Sequence, residues 1–404
     1  MHYSLCCRET ERQPIHSTIA MRLSFRLLLV LLAAFYYITA FAFISDLPPS
    51  RNSESSRLQQ KQQEIVIGRP ATASPSSADS SSQQASFPSI QYIAGRRCLF
   101  APCRDPSSRE ANCPLVVVGG TAQTISSWEH HVPGLSKDRD VLIYECLGQG
   151  PVPVDGSSGD GGATRDFSNV TLPYQAEVLA SVVEAAFDSG LFQQRLVDVA
   201  GFSLGGRIAL ATASIYPHLF RRLHITGVGA ARDDYAKVIL ESWKDILVQG
   251  RPPDAEGGDY GETALRAFGW STILATYSRE FVAAMGAKKI RTWVDGIANQ
   301  NTMEGVSALL EQTHGEVEID EWSPLLMARR ICQSQGNIAG SNRLRGKLVV
   351  GGNDQMATPA EVERLGKELG WDVLILKTSA GHAVPMECAR EWRADLLNFL
   401  SGDS

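Results

Sequence analysis

Charge is scarce in this 404-residue chain: Asp, Glu, Lys and Arg make up 20% of it, the formal net charge is −6, and no long Lys/Arg block interrupts it. Such a balance offers no cationic footprint for a phosphate backbone, which excludes nucleic acid as a partner. Metal-binding arrays are lacking too. The eight cysteines are scattered, and the spacing of Cys98, Cys103 and Cys113 forms neither a CxxC pair nor a Cys/His set. The glycine-flanked acids Asp155, Asp160 and Asp166 lack the spacing of a calcium loop. Leu147-Gly148-Gln149-Gly150 is too sparse for a dinucleotide fingerprint, so neither a metal nor another cofactor is expected.

Long apolar runs are equally rare. The 18 residues Leu27 to Ile44 carry no charge and follow Arg22 and Arg26, a pattern of a signal peptide cleaved after Ala40 or of a retained anchor. The chain is therefore expected to enter the secretory route, with membrane contact only through residues 27–44 if they are kept. The cysteines read as small buried hydrophobes and free surface thiols, with a bridge from Cys113 to Cys98 or Cys103 left open in that setting. Residues 50–89 hold twelve serines, four basic and three acidic residues and little apolar surface to offset ordering entropy. They read as a disordered linker or transit segment. An apolar signal, Phe41 just after the cut and a Ser-rich tract together resemble the bipartite presequences that lead into the secondary plastids of some algae, and that resemblance implies plastid import. Asn169-Val170-Thr171 is a glycosylation sequon.

From about Ser89 short apolar runs alternate with helical stretches, the sign of an α/β sheet. Residues 90–94 and 97–101 predict an opening hairpin. Later strands are predicted at 115–120, 141–145, 196–200, 223–229, 347–352 and 372–377, as continuous apolar runs covered on both faces. Thr171, as capping residue before Pro173, opens a predicted helix whose buried face carries Ala176, Leu179, Ala180, Val183 and Phe187. About 116 residues separate Ala230 from Lys347, far more than a crossover requires. The surplus, rich in large apolar groups such as Trp243, Trp270, Phe281 and Trp293, predicts a helical cap over the C-terminal edge of the sheet. The expected parts are an N-terminal extension with signal (1–45), a linker (46–88), a core in two pieces (89–230 and 341–404) and the cap (231–340).

Gly201-Phe202-Ser203-Leu204-Gly205 falls between a buried strand and a helix. The flanking glycines remove side chains where strand and helix crowd together, so one hydroxyl is lifted over the sheet at a helix N-terminus. A serine needs a base to take its proton and an acid to orient that base. His382 follows the last strand and precedes an amphipathic helix; His130 and His131 read as surface residues or as supports behind the site, and His218, His224 and His314 as helix-end, strand or cap positions. Asp354, just past the strand at 347–352, is the expected acid, with Asp233 and Asp234 as rivals. Backbone amides at Gly120 and Thr121, after the first central strand, and at Leu204 are the expected donors to a developing oxyanion.

Together these motifs, from about Ile90 to Leu400, resemble the α/β-hydrolase superfamily. The resemblance implies a mostly parallel sheet flanked by helices with an inserted cap, Ser203 as nucleophile, His382 as base, Asp354 as acid, and a small acyl substrate such as an ester or thioester. The stretch Glu145-Cys146-Leu147-Gly148-Gln149-Gly150 departs from the acid and arginine that many relatives carry there. The elbow with Arg207 is also similar to that of the pyruvate-eliminating synthase of the menaquinone and phylloquinone pathway, which keeps a lyase or acyltransferase reading open. A small-ligand receptor on the same scaffold is the third reading.

Overall fold

The computed structural model describes residues 87–150, 167–249, 260–314, 321–335 and 344–402. The apolar run 27–44, nearly all of the Ser-rich segment 46–88, and Asp155, Asp160 and Asp166 lie outside them. Among the described residues no helix is long and apolar enough to cross a membrane.

Eight strands form one sheet: β1 (Ser89–Ile93), β2 (Arg96–Ala101), β3 (Leu115–Val118), β4 (Val141–Tyr144), β5 (Val197–Phe202), β6 (Phe220–Thr226), β7 (Arg345–Gly351) and β8 (Asp372–Lys377). Their spatial order is β1-β2-β4-β3-β5-β6-β7-β8. The hairpin β1/β2 and the pair β2/β4 are antiparallel, and every other pair is parallel.

The two-faced burial read from the sequence has a direct physical form. Val116, Val118, Val199, Ile225 and Leu348 point to one layer, with α1 (Leu172–Asp188), α2 (Leu204–Ile215), α6 (Pro324–Gln335) and α7 (Pro359–Leu369). Their neighbours Leu115, Val117, Ala200 and Val349 point to the other, where Trp128, Leu135, Trp392 and Leu396 lie, the last two on α8 (Ala389–Ser401). Successive strand side chains alternate faces, so a strand clad on both sides has no polar position to alternate with. Each such side chain contributes roughly 1.5–3 kcal/mol through burial.

Between β6 and β7 run α3 (Asp234–Gln249), α4 (Tyr260–Thr276) and α5 (Arg279–Gln300), the last broken at Gly286. Their apolar interior is built on Trp243, Leu265 and Phe268 and is shared with Leu310 of the following segment and with Ala122 and Met356 of the core. The last helix of the interval, α6, differs: Met327, Ala328 and Ile331 pack into the sheet layer beside α2 and α7. Apolar spacing alone does not say which surface a helix covers.

One local expectation is corrected, and one left open is decided. Thr171 stands at the N-cap of α1 but its side chain does not cap; its hydroxyl donates to Asn169 Oδ1 at 2.8 Å. Cys98, Cys103 and Cys113 are free thiols. Cys98 is buried in β2, where burial pushes its thiol up to about 12, and Cys113 turns its sulfur toward Gln194 Oε1 at 2.9 Å.

Candidate active site

Ser203 sits at the turn from β5 into α2 with φ 51° and ψ −114°, a conformation that a residue with a side chain rarely adopts. Close packing enforces it. A Cβ on Gly201 would come within 2.7 Å of the Gly206 Cα, and one on Gly205 would run into the carbonyl oxygen of Val118. The sequence can meet this geometry only with hydrogen at both positions, and the strained residue between them presents its hydroxyl to a cavity.

His382 reaches that hydroxyl from the loop after β8. Its Nε2 lies 2.9 Å from Ser203 Oγ and its Nδ1 2.8 Å from Asp354 Oδ2. An ionised Asp354 only accepts, so Nδ1 carries the proton and the Nε2 lone pair faces the serine O–H. The other carboxylate oxygen, Oδ1, accepts from the Met356 and Ala357 amides, each at 2.8 Å, which fixes the acid. Asp354 and His382 are both buried, whereas Ser203 keeps partial access to the cavity. The rival acids lie elsewhere: Asp233 caps α3 through the Ala236 amide, and Asp234 is exposed beside Lys237.

The loop carrying His382 is tied to the insertion. Glu387 Oε1 accepts from the amides of Gly381 (3.0 Å) and Ser278 (2.8 Å), and the Ala383 amide donates to the Thr276 carbonyl at 2.9 Å. One neighbour of the histidine is thus bonded to the α4–α5 turn directly, and the other is linked to it through Glu387.

The three amides expected to face an oxyanion differ in their surroundings. Leu204 opens α2, where the first amides have no intrahelical acceptor. Thr121 lines the cavity next to Ser203. The Gly120 N–H is already engaged: it donates to Gln123 Oε1 at 2.9 Å, a side-chain contact that no spacing reveals.

The cavity has a volume of about 680 Å³. One group of lining side chains is aromatic, with Tyr277, Phe281 and Trp293 in mutual contact at centroid separations of 5.5–6.1 Å. Another is cationic, and of its members only Arg207 stood out in the sequence. His314, read there as an ordinary cap position, is buried, with Nδ1 receiving Arg232 Nη2 at 2.6 Å and Arg207 Nη1 at 3.3 Å. Two guanidinium donors at Nδ1 leave the ring proton on Nε2, which donates to Thr121 Oγ1 at 3.1 Å. Burial, with the two arginine charges beside it, holds His314 well below the usual histidine value, so the ring is neutral. Burial first and then Arg207 also disfavour the Arg232 cation, yet a guanidinium keeps its proton, and an anion in the cavity would offset that cost.

His131 is not the surface residue that was one reading of it. It is fully buried, its ring meets Trp128 and Trp392, and burial, aided by His130 and Arg393, pushes it down to about 3.

Known proteins match this arrangement. Residues 115–396 fit the model of the alpha/beta hydrolase family. A pyrrolizixenacetamide deacetylase of Xenorhabdus hominickii is 26% identical over 199 residues; the match spans 49% of this chain and 63% of the deacetylase. Among solved structures, MGS-M2, an alpha/beta hydrolase enzyme from a Medee basin deep-sea metagenome library, superposes with a TM-score of 0.57 at 18% identity over 78% of this chain and 98% of its own. The enol-lactonase of Burkholderia xenovorans LB400 does so with a TM-score of 0.56 at 15% identity, over 78% of this chain and all of its own. With the sheet order, the elbow and a family match that runs from β3 into α8, the chain belongs to the alpha/beta hydrolase family.

Proposed function

We propose that the protein is a serine-dependent hydrolase that cleaves a small ester, thioester or related acyl substrate through an acyl-enzyme. The observation that carries this reading is the unbroken line from Ser203 Oγ to His382 Nε2 (2.9 Å) and from His382 Nδ1 to Asp354 (2.8 Å) beneath a cavity. His382 accepts the serine proton as Oγ attacks the acyl carbon, and the Thr121 and Leu204 amides receive the developing oxyanion. The leaving group departs with the proton from His382. The same ring then deprotonates water, which releases the acid and restores the serine. A deacetylase among the relatives and an enol-lactonase among the structural neighbours, both named for acyl chemistry, support it. A fluorophosphonate should label Ser203, read by mass spectrometry of its peptide, and Ser203→Ala should abolish both labelling and turnover of a short p-nitrophenyl ester. Unchanged turnover by Ser203→Ala would refute the reading.

A second reading draws on the cationic side of the cavity. Arg207, Arg232 and neutral His314 favour a substrate that bears a carboxylate, and with the likeness of the elbow to the pyruvate-eliminating synthase they support a lyase on the same three residues. Release of pyruvate from that synthase's substrate, with no ester turnover, would select it.

A further inference from the structure

The stretch from Glu145 to Gly150 departs from the family pattern, and in the fold it has a task that the roles of Ser203, His382 and Asp354 leave open. Gln149, buried five residues beyond β4, lays its side-chain amide across the turn that follows β3. Oε1 accepts from the Ala122 amide at 2.8 Å and Nε2 donates to the Gln123 carbonyl at 3.0 Å. Asn301, the C-cap of α5, donates from Nδ2 to the Ala122 carbonyl at 3.3 Å and accepts from the Gly150 amide through Oδ1, also at 3.3 Å.

The residue so gripped is strained. Ala122 has φ 59°, the left-handed region that favours glycine, and it is buried. Such a conformation persists only where its surroundings determine it. The consequence falls on the amides of the turn. Gly120 donates to Gln123 Oε1, Ala122 to Gln149, and Gln123 to the Gly120 carbonyl at 3.1 Å. Among the described residues the Thr121 amide is the one of these four with no such acceptor, and Thr121 borders the cavity beside Ser203.

We propose that Gln149 is a positioning residue for the oxyanion donor: by holding Ala122 left-handed, it fixes the Thr121 amide toward the reacting carbonyl before substrate arrives. The proposal rests on the serine-hydrolase reading. A donor that is already aimed costs no reorganisation as charge develops, which is where such groups derive their effect. The insertion takes part through Asn301, so cap and oxyanion turn form one unit.

The test uses the full chain and Gln149→Met, which keeps the length of the side chain and loses both hydrogen bonds. The fluorophosphonate labelling rate of Ser203 and kcat for a p-nitrophenyl ester should each fall about 10²-fold, the loss typical of one oxyanion donor, with KM within about twofold of the parent. Gln149→Glu adds a readout that a purely structural role would not move. Its carboxyl can donate to the Gln123 carbonyl only when protonated, so kcat should decline with rising pH where the parent's does not. A folded Gln149→Met with parental labelling rate and kcat would overturn the proposal. Absence of labelling at Ser203 in the parent would instead overturn the hydrolase reading on which it rests.

Discussion

The carboxylate of Glu387 accepts from both the backbone N–H (2.8 Å) and the hydroxyl (2.6 Å) of Ser278, which joins the segment after β8 to the first turn of α5. Since Glu387 also holds the Gly381 amide, the backbone beside His382 is set by the insertion as well as by the sheet. In Glu387→Ala three donors lose their acceptor, at a cost of about 1–3 kcal/mol for each that stays buried. Loss of Tm by thermal denaturation should therefore accompany a fall in kcat of at least about tenfold, while Glu387→Gln, which keeps an acceptor oxygen, retains most activity. Parental kcat in Glu387→Ala would show that His382 needs no such support.

Asp354→Asn should preserve the fold and abolish most turnover. An amide that turns its NH2 toward Nδ1 selects the wrong histidine tautomer, with the Nε2 proton facing Ser203. A fall in kcat of about 10⁴-fold is expected, by the precedent of serine proteases. Ester kinetics on the purified variant would measure it, and a loss under tenfold would exclude Asp354 as the orienting acid.

Gly205→Ala tests whether the elbow is sterically closed. Its added methyl would meet the Val118 carbonyl oxygen, part of a strand that cannot recede, so a loss of at least about 3 kcal/mol or failure to fold is expected. Gly261→Ala, in α4 where nothing lies within 4 Å, is the control and should leave Tm within a few degrees. Thermal and urea denaturation of the two would compare them.

Arg232→Gln should separate substrates by charge. A charge-assisted hydrogen bond is worth about 1.5–3 kcal/mol, or roughly 10–100-fold, so kcat/KM for an ester with a carboxylate on its acyl group should drop by that factor. A neutral ester of the same length should change less than about threefold. Equal losses on both would mean that Arg232 only shapes the cavity.

Acid should destabilise the fold through its buried histidines. Burial lowers His131, His224 and His314, the first to about 3. A ring kept neutral in the fold takes up a proton on unfolding wherever the pH lies between its folded value and about 6.5, so the unfolded chain binds more protons there and stability rises with pH. Each such ring therefore removes at most about 1.4 kcal/mol per pH unit while the pH lies between those two values. His131→Phe, which keeps a ring against Trp128 and Trp392, should flatten the fall of Tm between pH 6.5 and 4.5. An unaltered slope would remove His131 from the account.

Particular residues show what could be read in advance. The runs at Leu115–Val118 and Val197–Phe202 announced strands clad on both sides, because burial on two faces eliminates polar alternation. Gly201 and Gly205 announced a crowded turn, and Asp354 and His382 were legible from their places just past β7 and β8. The engagement of the Gly120 amide and the setting of His314 were overlooked for the same reason: a hydrogen bond to Gln123, or a meeting of residues 193 positions apart, leaves no trace in apolar spacing.

The sequence by itself determined the layered sheet, the elbow and the order of its three polar partners, since each follows from sterics and hydrophobic spacing among near neighbours. Only the tertiary structure decided which amides of the turn after β3 find an acceptor, that Gln149 and Asn301 grip a strained alanine, and that two arginines surround a neutral histidine. Those pairings depend on the path of a long insertion across the sheet edge, and a polar group's partner is chosen by proximity in space, which no local pattern encodes.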